Sequence, residues 1–348
     1  MKVVDFRSDT VTKPSPEMWE IVKSLDDSKL GDDVEQEDPT VNELEQKAAK
    51  IVGKEASLYV TSGTQGNLIS LLSQTKPGDQ IMVERLSHIF GHEVGSAARI
   101  GGLMVYAYPS NNGVPDLNNL EEMIGDPEDV HESATTLLCA ENTHNFHGGI
   151  IIKPDDLQKM KNFAEKKNMN LHIDGARIFN AAVALNIPVT ELTQYGDSIM
   201  FCLSKGLSCP VGSIVAGSSK FIKRARKFRK LLGGGMRQAG IIACFGVAAL
   251  ESNWINRLKE DHINAKTLTE GMRSLNLPIK VQIPETNIFF VDFPKEAPME
   301  KIMAELYKNG IKVFNFNHKI RFVTHYGINE DDIQYSIDII NKVLQKFF

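Results

Sequence analysis

Along the first two thirds of the chain, short apolar runs alternate with longer stretches whose apolar positions recur every three or four residues. Runs of roughly four to eight apolar residues suit strands covered on both faces, and the longer period suits the helices that cover them. The pattern predicts strands over 57–60, 80–84, 103–106, 136–140, 171–173, 198–203 and 213–216. Helices are expected between them, among them 65–72 and 154–167. The second opens on Pro154, Asp155 and Asp156 and closes on Lys166 and Lys167, charges that suit the two ends of a helix dipole. Strands alternating with helices in this way build a parallel sheet with helical crossovers. From 241 to 275 a long helical pattern leaves the sheet region. Beyond it, strands are expected at 288–293, 312–316 and 320–324, with helices at 299–309 and 331–347. The expected division is a large domain with an N-terminal arm over 1–245 and a smaller α/β domain over 246–348. No linker, repeat or low-complexity tract separates them, so an extensive shared interface is expected.

Composition narrows the function classes. The 348 residues are 42% hydrophobic and 24% charged, ordinary globular usage that argues against a disordered or disulfide-scaffold chain. A net charge of -5 leaves no basic surplus for phosphates, so nucleic acid is not an expected partner. Asp5, Arg7 and Asp9 stand where an export signal needs an apolar core. The uncharged stretch 56–75 is interrupted by Thr61, Ser62, Gln65, Asn67 and Gln74, so no membrane helix is expected there. Cys139, Cys202, Cys209 and Cys244 lack C-x-x-C spacing and read as reduced, packed thiols, in keeping with a cytoplasmic location.

Candidate chemistry lies where strand candidates end. Thr61, Ser62, Gly63 and Thr64 stand between a strand and a helix, an arrangement that offers N–H groups and hydroxyls to an anion; the plain alternative is a helix cap. Neither the P-loop pattern nor G-x-G-x-x-G occurs, so nucleotide readings lose ground. Asp174 closes the strand in Leu171-His172-Ile173-Asp174-Gly175-Ala176-Arg177, at the edge where open α/β sheets bind ligands. It can pair with a cationic ligand atom, and Arg177 can return charge to it or to a ligand phenolate. Lys205, in Ser204-Lys205-Gly206, sits between two buried strands, where desolvation suits an amine that forms an imine with a carbonyl. Taken together, an aspartate for a ring nitrogen, a lysine for an aldehyde and an upstream phosphate cradle are three handles on pyridoxal phosphate.

Two histidines follow strand candidates. His88 and His144 can each stack on a flat ring or pass a proton near neutral pH. His144 and His147 resemble a metal pair, but with no Cys or carboxylate at suitable spacing no metal is expected. Gly233-Gly234-Gly235-Met236-Arg237 follows a basic cluster over 223–229 that reads as a solvated helix face. Arg237 could reach a phosphate with help from Lys230. Arg321, on an apolar strand, needs an anion: a substrate carboxylate or a structural salt bridge.

These residues fall in a familiar order. Asp5-Phe6-Arg7-Ser8-Asp9-Thr10-Val11-Thr12-Lys13-Pro14, Gly31-Asp32-Asp33-Val34, Ser62-Gly63-Thr64, Ser87-His88-Ile89, Glu141-Asn142-Thr143-His144-Asn145, His172 to Arg177, Ser204-Lys205-Gly206 and Gly233 to Gln238 together resemble the low-specificity L-threonine aldolases. The resemblance spans nearly the whole chain. It implies an α/β, aspartate aminotransferase-like fold of type I, with pyridoxal phosphate on Lys205, Asp174 at the ring nitrogen and His88 stacked on the ring. It implies substrate carboxylate contacts from Ser8, Arg177 and Arg321, and phosphate contacts from Gly63, Thr64 and, across a subunit boundary, Lys230 and Arg237. Homotetramers built from dimers with shared sites are also implied, as is retro-aldol cleavage of L-threonine or L-allo-threonine to glycine and acetaldehyde. The base is His88 or His144, directly or through water.

Departures fall at Ser208-Cys209, in place of a small Gly-Ala pair, at Gly91-His92, where an aromatic residue is common, and at Phe146-His147, which lengthens the loop after His144. The same cofactor handles also serve β-elimination or racemisation, and a silent binding scaffold could keep the fold without turnover.

Overall fold

The computed structural model describes residues 2–348. All seven apolar runs of the first part form strands of one sheet: β1 (Ala56–Val60), β2 (Gln80–Glu84), β3 (Met104–Tyr108), β4 (Thr135–Glu141), β5 (Asn170–Asp174), β6 (Ser198–Cys202) and β7 (Ser213–Gly217). Their order is β1-β7-β6-β5-β4-β2-β3, with β7 antiparallel to both neighbours and the other pairs parallel. Every residue of β2, β6 and β7 is buried, as runs without a polar face require. Register sets Glu141 of β4 beside Asp174 of β5, and Asp174 beside Met200 of β6. Side chains that end these strands therefore converge beyond one edge of the sheet.

A second sheet, ordered β8 (Lys280–Val281), β9 (Ile288–Asp292), β11 (Lys319–Val323) and β10 (Phe314–Phe316), is antiparallel. Leu268, Met272, Ile302, Leu306, Ile340 and Val343, from helices Leu258–Arg273, Met299–Lys308 and Glu330–Leu344, pack with Phe289 and Phe322 of the sheet. The N-terminal segment joins this core. Val4–Asp5 pairs in parallel with Ile311–Lys312, and Val4 and Phe6 are buried in the same cluster. The Phe6 carbonyl accepts from Val323 N at 2.9 Å, which fixes where Ser8 and Asp9 emerge.

Three expectations differ in detail. The pattern over 241–275 is three helices, Gly240–Ala249, Ser252–Asn256 and Leu258–Arg273, because Glu251 takes an extended conformation as a cap between the first two. The run over 312–316 divides between two sheets, since the N-terminal segment claims its first part. Within the basic helix Ser219–Leu231, Arg229 is not solvated: it is 1% exposed, paired with Asp33 and bonded to the Tyr59 carbonyl at 2.8 Å.

Candidate active site

Beyond the carboxyl ends of β4, β5 and β6 lies a cavity of about 290 Å³. Lys205, Asp174, His88 and Thr64 line it, and so do Gly63, Ser8, Arg177 and Arg321. Eight candidates from separate stretches of the sequence thus line one cavity.

Asp174 ends β5 and is 1% exposed. Its carboxylate accepts from Asn67 Nδ2 at 2.8 Å and from Ala176 N at 3.1 Å, and among the described residues it has no ion pair. Asn67 also donates to Glu93 at 2.8 Å and accepts from His172 Nε2 at 3.2 Å. His172 Nδ1 meets Ser198 Oγ at 2.8 Å, and that hydroxyl accepts from Gln74 at 2.8 Å. This chain of bonds makes His172 a donor through Nε2. Burial holds its pKa down to about 4, so the ring is neutral. Asn67 and Glu93 carry no local motif, and His172, though inside the stretch from Leu171 to Arg177, is not among the expected site residues.

At the other end, Ser62 caps helix Gly63–Gln74 by accepting from Gln65 N at 3.2 Å. Ser62 is outside the cavity lining, and the bond it makes is the cap. Gly63 and Thr64 line the cavity in the first turn, where helix N–H groups lack intrahelical acceptors. A Cβ on Gly63 would stand 2.9 Å from Cys202 Sγ, so only glycine lets this turn sit against β6.

Lys205 is carried by the turn between β6 and β7. Its carbonyl accepts from Thr12 Oγ1 at 2.9 Å and from Ser208 N at 2.8 Å, while Arg257 Nη2 braces the Gly206 carbonyl at 2.8 Å. Ser208 adopts φ 63, the left-handed region that the expected glycine would favour. Among the described residues the Lys205 amine has no hydrogen-bond or ion-pair partner and faces the cavity.

Two arginines border the opposite wall in different states. Arg177 Nε and Nη2 donate to Asp9 at 2.7 and 2.6 Å, a buried bidentate pair. Burial pushes the Asp9 carboxyl up, but the Arg177 charge and bonds outweigh it and hold it well below the usual carboxylate range. Arg321, 7% exposed, donates to Asn145 Oδ1 and the Arg7 carbonyl, both at 3.0 Å, and its Nε has no partner. Rings of Phe146, Phe314 and Phe316 surround its guanidinium at 5.4–6.0 Å. Burial and the neighbouring Arg177 charge bring its pKa down to about 10. No carboxylate pairs with it among the described residues, so the structural salt bridge is not what holds it.

The histidines separate. His88 is at the cavity, its Nδ1 2.8 Å from Glu93, and that bond raises its pKa against the opposing effect of burial, with Asp174 adding to the rise. His144 is fully buried, bonded through Nε2 to Glu84 at 3.0 Å, and outside the lining. Lys230 is exposed and Arg237 pairs at the surface with Asp32, both outside their own chain's cavity.

The residues present fit pyridoxal phosphate: a buried carboxylate free of cationic partners, an unpaired amine, an open helix start and a buried uncompensated guanidinium face one small cavity. Comparisons with known proteins agree. Residues 5–296 match the family model described as beta-eliminating lyase. The chain is 39% identical to a probable low-specificity L-threonine aldolase 2 of Arabidopsis thaliana, over 99% of this chain and 98% of that protein. It is 40% identical to the low specificity L-threonine aldolase of Escherichia coli strain K12, over 95% of this chain and 96% of that one. In structure it resembles a threonine aldolase of Leishmania major, with a TM-score of 0.85 at 17% identity over 98% and 99% of the two chains. A serine palmitoyltransferase of Sphingomonas wittichii shares the fold at a TM-score of 0.80 and 15% identity, over 99% of this chain and 88% of that one.

Proposed function

Because the chain belongs to the low-specificity L-threonine aldolases, pyridoxal phosphate-dependent members of the beta-eliminating lyase family, we propose that it cleaves L-threonine and L-allo-threonine to glycine and acetaldehyde. Bound pyridoxal phosphate supplies an electron sink for the pair released at the amino acid's α-carbon. In this reading Lys205 holds the cofactor's aldehyde, Asp174 its ring nitrogen, and the N–H groups of Gly63 and Thr64 its phosphate, with Lys230 and Arg237 of a neighbouring subunit completing the phosphate site.

Arg321 takes the substrate α-carboxylate, with Ser8 and Arg177 beside it. That anion compensates a guanidinium which otherwise lies buried with only neutral acceptors, and this is the observation that carries the reading. His88 Nε2 accepts the β-hydroxyl proton as the Cα–Cβ bond breaks and the hydroxyl carbon becomes the aldehyde. His88 is preferred to His144 as base because it lines the cavity, whereas Nε2 of His144 is occupied by Glu84. Asn67 and the neutral His172 keep the Asp174 carboxylate aimed at the ring nitrogen's position.

The reading includes a homotetramer with shared sites and a cytoplasmic enzyme; four buried, free cysteines suit a reducing compartment. Product analysis with L-threonine tests it. Glycine and acetaldehyde in equal amounts support the aldolase, and 2-oxobutanoate with ammonia would assign β-elimination instead.

A further inference from the structure

Glu84 closes β2, and the loop after β4 brings His144 and His147 to it although His144 lies 60 residues further along the chain. His144 Nε2 is 3.0 Å from Glu84 Oε2, and His147 Nε2 is 3.5 Å from Glu84 Oε1. Ser110 Oγ stands 3.0 Å from Glu84 Oε1 and 3.3 Å from His147 Nε2. The geometry points to a zinc-class divalent metal site held by Glu84, His144 and His147, with Ser110 or a water closing a tetrahedron. Nothing in the catalytic reading uses this cluster.

Ligand spacing carries the inference. Zinc bonds of about 2.0–2.2 Å to nitrogen and oxygen set the edges of a ligand tetrahedron at about 3.3–3.5 Å. The two histidine nitrogens lie 3.0 and 3.5 Å from the two oxygens of Glu84, and one ligand atom from each of the three residues lies within 4.8 Å of the others, so closing on one ion takes modest side-chain movement. Two imidazoles and one carboxylate select a transition ion, because calcium and magnesium prefer all-oxygen sets. Burial also agrees: the His144 and Glu84 side chains are 0% and 2% exposed, while His147 at 17% leaves a way in from solvent.

A second observation concerns the far nitrogen of His144. Its Nδ1 is buried without a hydrogen-bond partner and lies 4.0 Å from Glu141 Oε1. A cation entering between Nε2 and Glu84 would displace the proton that joins them at 3.0 Å, and the imidazole N–H would then be carried on Nδ1, which faces the Glu141 carboxylate. Metal-bound imidazoles characteristically direct their other N–H at a carboxylate in this way. Such an ion would steady the loop that carries Asn145, the neutral partner of Arg321. Sequence spacing hid the site because its carboxylate comes from another strand.

The test is cobalt titration of the chelator-treated holoprotein, followed by d–d absorption at wavelengths beyond the cofactor band, with metal content measured by mass spectrometry. Stoichiometric uptake with tetrahedral band intensity is expected. His147→Ala, which removes the partly exposed ligand, should weaken binding by more than about 100-fold, since even losses behind the ligands cost 10–100-fold. Glu84→Gln should do the same, with circular dichroism reporting whether the buried change folds. No stoichiometric uptake by the native chain, or uptake that survives His147→Ala, would mean the cluster is held by protons alone and overturns the site.

Discussion

Arg321 Nη1 donates to Asn145 Oδ1 at 3.0 Å, so a buried guanidinium is met by a neutral amide where a carboxylate would ordinarily stand. A charge-assisted bond to substrate contributes about 1.5–3 kcal/mol, or about 10- to 150-fold. Arg321→Leu should therefore lower kcat/KM by that range, chiefly through KM, without lowering the thermal unfolding midpoint. Steady-state kinetics and calorimetry check both; a lowered midpoint with unchanged KM would make Arg321 structural.

Asp9 and Arg177 behave differently because each already compensates the other. Asp9→Asn leaves a buried cation unpaired and should destabilise the fold by about 3–5 kcal/mol. The Asp9 carboxyl is depressed in the folded state, so its contribution is fully present above the ordinary aspartate value of about 3.9 and is lost as pH falls through the lower folded value. Denaturant unfolding should accordingly show a constant gap between native and variant from neutrality to about pH 5, narrowing only below about pH 4.

The bond to Glu93 raises the His88 pKa, with Asp174 adding to the rise, while burial raises that of Glu93. A base must be unprotonated, so the acid limb of kcat/KM should lie above the usual imidazole value of about 6.5. Glu93→Gln replaces the carboxylate with a neutral amide, and the limb should move to lower pH. A pH profile that does not move would separate His88 from the proton transfer.

Ser208 holds a left-handed backbone beside Lys205, which costs an L-residue about 1–2 kcal/mol, partly offset by the greater chain entropy of glycine. Ser208→Gly should raise stability by about 0.5–1 kcal/mol, read as a higher denaturation midpoint, with the cofactor absorbance band retained.

Strands were legible wherever burial on both faces left an unbroken apolar run, as in β2, β6 and β7. Their ends were legible too, which is why Asp174, His88 and Lys205 could be singled out from single positions. Convergence was less so. Asn67, Glu93 and His172 support Asp174 from a helix, a loop and the strand itself, with polar side chains that look ordinary in sequence. Arg229 sits within a run of exposed basic residues and gives no local sign of its buried pairing with Asp33. Ser62 caps its helix through Oγ, and the same residue type serves caps and anion sites alike.

The account rests on Lys205 being the residue joined to the cofactor. Borohydride reduction of the purified holoprotein followed by peptide mass spectrometry tests this directly. A phosphopyridoxyl group on the peptide containing Lys205, with loss of the visible absorption band, is the predicted result. An adduct on a different lysine, or none on a fully folded protein supplied with pyridoxal phosphate, would contradict it.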